Sequence, residues 1–392
     1  MTKKQSSVYS KDVILVMAAS FFFMFGTMFV NPLINGYARS LGASSAFAGL
    51  IVGIMSIAAM FLRPIAGNLT DYLSKYRLSF IGGLLIVLGI LGYVLTPNSQ
   101  LLLLFRLING SGYVLCTVCM TTWLAFLVPR EHVGEALGFY GLMNALAMAL
   151  APAIAINVYH QIGYRKAIMI ALAASILMVL VIQFVSDHAL PAKRTNKMRL
   201  RELKIISPKA LPVAILTALF AIPYFTTQAD IVTYTEEAHR GVAVGDYFLL
   251  YAIVLLLIRT GLKRLFDTVR FGIWFWISLL STGFYITMLA IMKNNWQMFL
   301  AAAGMAVGYG LIYSVLQSTA LLLTPINEQG LASSTFYLGL DIGMALGPMI
   351  GGESAALLPI NDFYWVDLAI IPLALVVYLI WHKSLNDAIN QH

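Results

Sequence analysis

Charge is what this chain has least of. Asp, Glu, Lys and Arg make up 11% of its 392 residues and hydrophobic side chains 60%, whereas soluble globular chains carry about 25% charged residues. Apolar surface on that scale cannot be hidden in one soluble core, so the solvent of this protein must be lipid. Cysteine is nearly missing as well. Cys116 and Cys119 sit one helical turn apart in an apolar run, a spacing that suits packing better than a staple, and no other cysteine exists to complete a redox or metal site. There is no Walker loop, no catalytic triad and no metal-ligand cluster, so neither ATP drive nor enzymatic chemistry is indicated and no cofactor is expected. No dense set of polar groups suits a sugar, and no paired arginines suit an organic phosphate. A small-residue cleavage site is also lacking after the first apolar stretch, which therefore reads as a retained span rather than a signal peptide.

What the chain has in abundance is apolar stretches. Spanning ~30 Å of hydrocarbon takes about 20 residues of helix. Twelve such stretches are legible, at 13–36, 45–69, 78–97, 99–128, 134–160, 165–186, 211–235, 244–265, 272–292, 296–323, 330–358 and 363–381. Backbone groups in lipid have no water to bond, so these stretches must be helices. Glycines inside them, such as Gly82, Gly83, Gly89, Gly92, Gly304, Gly308 and Gly310, favour close helix packing.

The formal charge of +8 follows the loops and does not point to nucleic acid. With a cytoplasmic N-terminus, seventeen Lys and Arg fall on the inner side and five, Arg39, Arg165, Lys166, Arg240 and Lys293, on the outer side. Both termini are therefore expected to face the cytoplasm, in the plasma membrane. His188 to Lys209 is the one long polar segment and carries seven basic residues against a single acid, Glu202. It reads as a linker lying along the anionic inner leaflet, with a regulatory or ligand-binding role as the alternative. The expected organisation is a six-helix bundle over 1–186, a basic linker over 187–210 and a second six-helix bundle over 211–392.

The two halves repeat. Gly49, Arg63, Asp71, Gly112, Tyr113, Pro129, Gly134 and Pro152 recur 196 positions later as Gly245, Arg259, Asp267, Gly308, Tyr309, Pro325, Gly330 and Pro348. One offset kept across a hundred residues marks a duplicated unit, and many transporters build a path between two pseudo-symmetric bundles.

The second and third spans are joined by Arg63-Pro64-Ile65-Ala66-Gly67-Asn68-Leu69-Thr70-Asp71-Tyr72-Leu73-Ser74-Lys75-Tyr76-Arg77. This resembles the cytoplasmic signature loop of the major facilitator superfamily, G-x-L-a-D-R-x-G-R-R, through Gly67, Leu69, Asp71 and Lys75, with Tyr72 and Ser74 departing from it. Arg259 to Asp267 is a shorter echo in the second half. The resemblance implies an all-α membrane protein of twelve transmembrane helices in two pseudo-symmetric six-helix bundles. It also implies that Asp71 sits against the start of the eleventh span, near Gly330, as a latch on the cytoplasmic gate. Arg63, Gly67, Lys75, Arg77, Arg259 and Asp267 would complete that gate, the alternative being a plain topogenic basic loop.

Where the halves disagree, mechanism is expected. Arg106 lies inside the fourth span, and its repeat mate is Ala302. A buried arginine costs at least ~2.5 kcal/mol at a helix centre, which makes it a functional residue by default. Its surroundings are similar to the fourth-span R-x-x-x-G-x-G pattern that the superfamily's drug:proton antiporters use in proton coupling. A structural arginine bonding carbonyls of the first span is the alternative. Conversely, Phe139-Tyr140-Gly141-Leu142-Met143-Asn144 matches Phe336-Tyr337-Leu338-Gly339-Leu340-Asp341, so a carboxylate stands in the second half where the first has an amide. At 1.5 Å per residue Asp341 lies ~15 Å deep, a protonation or cation site or else a satisfied packing acid. Asp230, toward the outer end of the seventh span, is a second candidate. The fifth span resembles the antiporter signature ending G-P-x-x-G but has alanine for both glycines, while Gly347-Pro348-Met349-Ile350-Gly351 keeps them.

Asn31, Asn35, Trp123, Asn144, Tyr224, Gln228, Tyr313 and Gln317 are the candidate cavity residues. Eighteen methionines and the phenylalanines of the first span add adaptable apolar surface, which suits amphipathic ligands. The expectation is a monomeric, proton-driven exporter of small amphipathic or lipophilic compounds, with protons, lipid and a small-molecule substrate as its partners. Transport of a defined metabolite (a metallophore, sugar or amino acid derivative) and lipid or lysolipid flipping are the alternatives.

Overall fold

The computed structural model describes residues 10–190, 204–242, 244–262 and 265–390, a scatter of side chains within them excepted. All regular structure among the described residues is helical. The chain divides into two compact units. Unit 1 takes in 1–129, 139–207 and 326–334, and unit 2 takes in 130–138, 208–325 and 335–392.

The first six helices are α1 (Lys11–Ser40), α2 (Ser45–Tyr72), α3 (Lys75–Leu95), α4 (Ser99–Leu127), α5 (Val133–Ile162) and α6 (Tyr164–Ile182). Four start where a small polar side chain can accept a first-turn N–H. Ser10 accepts from Val13, Ser44 from Phe47, Ser74 from Arg77 and Asn98 from Leu101. In unit 1, glycines let helices touch. A Cβ on Gly82 of α3 would lie 2.7 Å from the Cys116 sulfur of α4, and one on Gly26 of α1 would lie 2.6 Å from the Ser175 hydroxyl of α6. Cys116 and Cys119 are buried free thiols that fill this packing.

The chain after α6 folds back onto unit 1. The Asp12 carboxylate accepts from the Ser186 and Asp187 amides at 3.0 and 2.9 Å, and the His188 ring stacks on Tyr76 at 4.1 Å. Further on, Asn68 holds the backbone of Lys204 with its amide, donating to the carbonyl at 2.7 Å and accepting from the N–H at 3.4 Å. The Lys204 ammonium pairs with Glu328 at 2.6 Å.

The second six helices are α7 (Leu211–Glu237), α8 (Tyr247–Gly261), α9 (Phe271–Ala290), α10 (Asn295–Leu322), α11 (Gln329–Leu357) and α12 (Ile370–Asn390). Two depart from expectation. α8 has 15 residues, about 22 Å at 1.5 Å per residue, because a 3-10 turn, Val244–Asp246, takes up its start. The last span opens with a 3-10 run, Ile360–Ala369, before α12 proper. Among the described residues, ten helices are long and apolar enough to cross a membrane.

Glycines also line the seam between α7 and α11 in unit 2. Gly339, Gly343, Gly347 and Gly351 recur every four residues along one face of α11. A Cβ on Gly343 would lie 2.9 Å from the Ala218 carbonyl, and one on Gly347 would lie 2.8 Å from the Ile222 carbonyl. Thr226 donates across the seam to the Gly347 carbonyl at 2.9 Å. Such small-residue stripes allow backbones to approach where the hydrophobic effect gives no drive.

Within α10, Ala306–Leu311 winds as a π-helix, whereas α4, its repeat mate, is regular throughout. Wider turns disturb the carbonyl ladder, and three side chains answer it. Ser281 donates to the Gly304 carbonyl at 2.9 Å, Ser278 to Val307 at 3.3 Å and Arg259 to Gly310 at 2.7 Å.

Candidate functional site

In unit 1 the polar centre is Arg106. Its side chain is 3% exposed, and Nη2 donates to the Asn31 carbonyl oxygen of α1 at 2.8 Å. Nε and Nη1 have no hydrogen-bond partner among the described residues. Tyr93 of α3 places its hydroxyl in the field of this guanidinium. The site thus holds a buried cation, an expensive arrangement in an apolar surround. Asn144 of α5 is buried elsewhere in the unit and accepts from Ser20 of α1 at 2.9 Å, and its own amide nitrogen has no partner among the described residues. The Asn35 side chain lies outside the described residues.

Trp123 belongs to the packing around the end of α6. It is fully buried, packs edge-on to Tyr76, and donates its indole N–H to the Asp187 carbonyl at 2.8 Å. Its work is to anchor the segment that leaves α6. Sequence reasoning placed it by chain depth alone, and depth does not report which side of a helix faces the path.

The expected gate residues separate into two groups. Gly67 of α2 lies against the first turns of α11: a Cβ there would be 2.6 Å from Ser334 Cβ, 2.9 Å from the Gly330 carbonyl and 3.2 Å from Leu331 Cα. Asp71 stands one turn further along α2, and its side chain, like that of Asp267, lies outside the described residues. Arg77 is exposed, while Lys75 is buried, its ammonium 5.8 Å over the Phe126 ring. Arg63 and Arg259 are deep within their own units instead of at a mouth. Arg63 donates to Thr117 of α4 at 3.0 Å and lies 5.8 Å over the Tyr113 ring. Arg259 donates to Ser314 and to the π-segment carbonyl of Gly310 in α10. The repeat preserves them because each ties the second helix of its half to the fourth.

Unit 2 gathers an aromatic site. Tyr224 of α7 stacks on Tyr309 of the π segment at 4.1 Å and meets Tyr251 of α8 at 5.9 Å. Tyr313 lies 6.0 Å from Tyr309 and 5.3 Å from Phe336 of α11. Gln317 donates to the Tyr337 hydroxyl at 3.0 Å. Asp341, 2% exposed, is one turn beyond Tyr337 on the same side of α11, since residues four apart stack. Gly339 and Gly343, two residues away on either side, face α7, so Asp341 points away from that seam. Tyr224 and Tyr313 are brought together through Tyr309, with Gln317 tied to Tyr337 and Asp341 one turn further along α11, while Gln228 is exposed.

Asp230 belongs to a different cluster, near the far end of α7, with an acid that sequence reasoning missed. Asp367, in the 3-10 run before α12, is 3% exposed, and that run packs on α7 through Tyr364, whose ring lies 4.8 Å from that of Tyr234. It could have been suspected as a carboxylate inside the expected last span, 363–381. Among the described residues, no group of three or more His, Cys, Asp and Glu is placed to hold a metal ion.

A family model for the Major Facilitator Superfamily matches residues 16–348. Similar relatives include an uncharacterised MFS-type transporter, MJ1560, of Methanocaldococcus jannaschii, 22% identical over 90% of this chain and 94% of its own. The quinolone resistance protein NorA of Staphylococcus aureus is 22% identical over 88% of this chain and 89% of its own. Among solved structures, the human organic anion transporter MFSD10 superposes with a TM-score of 0.78 at 14% identity, covering 93% of this chain and 98% of that one. The transporter FucP in its outward conformation does so with a TM-score of 0.73 at 14% identity, over 95% and 99%.

Proposed function

The chain belongs to the Major Facilitator Superfamily, and on that premise we propose that it is a proton-driven secondary transporter that exports small amphipathic or lipophilic compounds by alternating access. It works as a monomer in the plasma membrane with both termini cytoplasmic, and needs no cofactor. The observation that carries the reading is unit 2's stacked tyrosine surface, Tyr224 on Tyr309, together with one buried carboxylate, Asp341, a turn beyond Tyr337 on α11. Flat aromatic walls take up apolar ligands of loosely defined shape, and an intramembrane carboxylate is a candidate proton site. Arg106 is the corresponding charge of unit 1, an intramembrane cation. Similarity to a quinolone resistance protein favours export over uptake. Gly67, packed on Gly330, is the contact through which α2 and the Asp71 latch would hold the cytoplasmic side closed.

The test is reconstitution in liposomes under an imposed pH gradient, with wild type compared with Asp341→Asn and Arg106→Ala across candidate ligands. Gradient-driven movement of an amphipathic cation or neutral compound, lost in both variants, is the expected result. Normal transport by both variants sinks the coupling assignment. Fluorescent lipid moving without a gradient establishes a flippase instead.

A further inference from the structure

The two halves keep one register up to the middle of their fourth helices and another beyond it. Gly112 of α4 packs on α3, where a Cβ would lie 2.9 Å from the Ile86 backbone nitrogen, and Gly308 of α10 packs on α9, where one would lie 3.1 Å from that of Thr282. Both glycines and both partners stand 196 positions apart. The ties to α2 and α8, further along, no longer agree with that spacing. Arg63 donates to Thr117, and Arg259, 196 positions on, donates to Ser314, which is 197 from Thr117. The hydroxyls that follow keep the new spacing, Thr121 and Thr122 against Ser318 and Thr319, and by Pro129 and Pro325 it is 196 again.

The extra residue falls where α10 winds as a π-helix, Ala306–Leu311. Gly112-Tyr113-Val114-Leu115-Cys116-Thr117 in α4 becomes Gly308-Tyr309-Gly310-Leu311-Ile312-Tyr313-Ser314 in α10. One residue taken into a regular α-helix would turn everything beyond it by about 100°. A wide turn absorbs it, so Ser314 still meets the arginine of α8, and such turns concentrate at functional sites. What changes is the setting of the tyrosine inside the turn. Tyr113 meets Phe23 of α1 at 5.7 Å and has Arg63 5.8 Å over its ring. Its mate Tyr309 stacks on Tyr224 of α7 at 4.1 Å, the rings 19° from parallel, and Tyr224 stands five residues beyond Leu219, the mate of Phe23. Arg259 donates to the Gly310 carbonyl, within the wide turn, at 2.7 Å.

We propose that the π turn of α10 is a one-residue insertion relative to the first half, and that it sets ligand selectivity by turning Tyr309 onto Tyr224, with Arg259 as the positioning residue that holds the turn through the Gly310 carbonyl. The inference rests on the reading of the tyrosine surface as the ligand site and names the ligands it favours. Two stacked rings offer a flat face, and offset stacking rewards a planar aromatic ligand over an aliphatic one of equal charge. The first half, where α4 is regular, has no such insertion and gives the same tyrosine to packing. One residue of spacing thus turns a duplicated packing side chain into part of a site.

Deleting Ile312 gives α10 the spacing of α4, for which the first half is a folded precedent. Cryo-electron microscopy of the full wild-type chain and of the deletion variant in lipid nanodiscs reads the geometry without ligand. The expected result is a regular α10 with the bond from Arg259 to Ser314 kept and Tyr309 off Tyr224, beside Leu219. A π turn that persists, or a stack that survives in a regular helix, overturns the proposal. Equilibrium binding of two monocations, planar proflavine and aliphatic dodecyltrimethylammonium, reads the selectivity. Affinity for proflavine should fall about 2- to 12-fold in the deletion variant, with that for dodecyltrimethylammonium unchanged. Tyr309→Leu, which keeps the spacing and removes the ring, should show the same split and carries the test if the deletion variant does not fold. Equal losses for both cations, or unchanged proflavine binding in Tyr309→Leu, overturn the selectivity role. If the wild-type chain binds neither cation, the tyrosine surface is no ligand site and the proposed function falls, while the microscopy still decides the insertion.

Discussion

Replacing Gly67 by alanine puts a methyl group into the closest contact that α2 makes with the start of α11. The new Cβ would stand 2.6 Å from Ser334 Cβ, where ordinary contact begins at 3.4 Å, so the helices must part by 0.8 Å along that line. The other two neighbours, the Gly330 carbonyl at 2.9 Å and Leu331 Cα at 3.2 Å, are backbone atoms that no rotamer change can move. Overpacking of this kind costs about 1–3 kcal/mol. If the contact forms in one state of the transport cycle and breaks in the other, the whole cost falls on the first state. Its population relative to the second then drops about 5- to 150-fold. Spin labels at the exposed positions Leu73 and Ile326 report the separation directly in pulsed distance measurements. The expected outcome is a shift of Gly67→Ala toward the long distance, partly reversed by adding Ser334→Gly, which removes the nearest clash and leaves the backbone ones. Unchanged distance populations in Gly67→Ala, or a double variant that is purely additive, would refute the reasoning.

Three further outcomes follow from single contacts. Trp123→Phe loses the indole bond to the Asp187 carbonyl and should cost about 0.5–1.5 kcal/mol, read as a lower thermal midpoint with unchanged transport per folded molecule. Arg259→Met leaves the Gly310 carbonyl without its donor and should destabilise by about 1–3 kcal/mol, and Arg259→Lys should not restore it because lysine has no fork; chemical denaturation followed by tryptophan fluorescence checks both. Tyr224→Ala removes the stack on Tyr309, worth about 0.5–1.5 kcal/mol, so affinity for an amphipathic ligand should fall about 2- to 12-fold while Tyr224→Phe stays near wild type; equilibrium ligand binding decides.

The residues that were legible in the chain are those whose reasons are local. Twelve apolar stretches follow from the length a bilayer demands, and the paired Arg63 and Arg259 follow from the repeat. Arg106 and Asp341 announce themselves because a charge in lipid has few bland explanations. The structure finds both at 3% exposure or less. The roles of Arg63 and Arg259 were less legible than their recurrence. Identity at a shared offset says that both halves need an arginine there, and only the contacts with Thr117 and with the π segment say what for.

Trp123 and Asp367 mark the other side of that boundary. Trp123 shares its depth with the other candidate path residues, and Asp367 shares an apolar stretch with exposed apolar side chains such as Leu373 and Val376. In a soluble helix, polar periodicity tells the inner face from the outer one. Here that signal is weak, because the neighbours of a span and the lipid around it are equally apolar. The amino-acid sequence by itself therefore determined how many helices there are, that they lie in a membrane, and which charges are costly enough to matter. Only the tertiary structure decided which side of each helix meets which neighbour. That choice put Gly67 on Gly330, stacked Tyr224 on Tyr309, and buried Asp367.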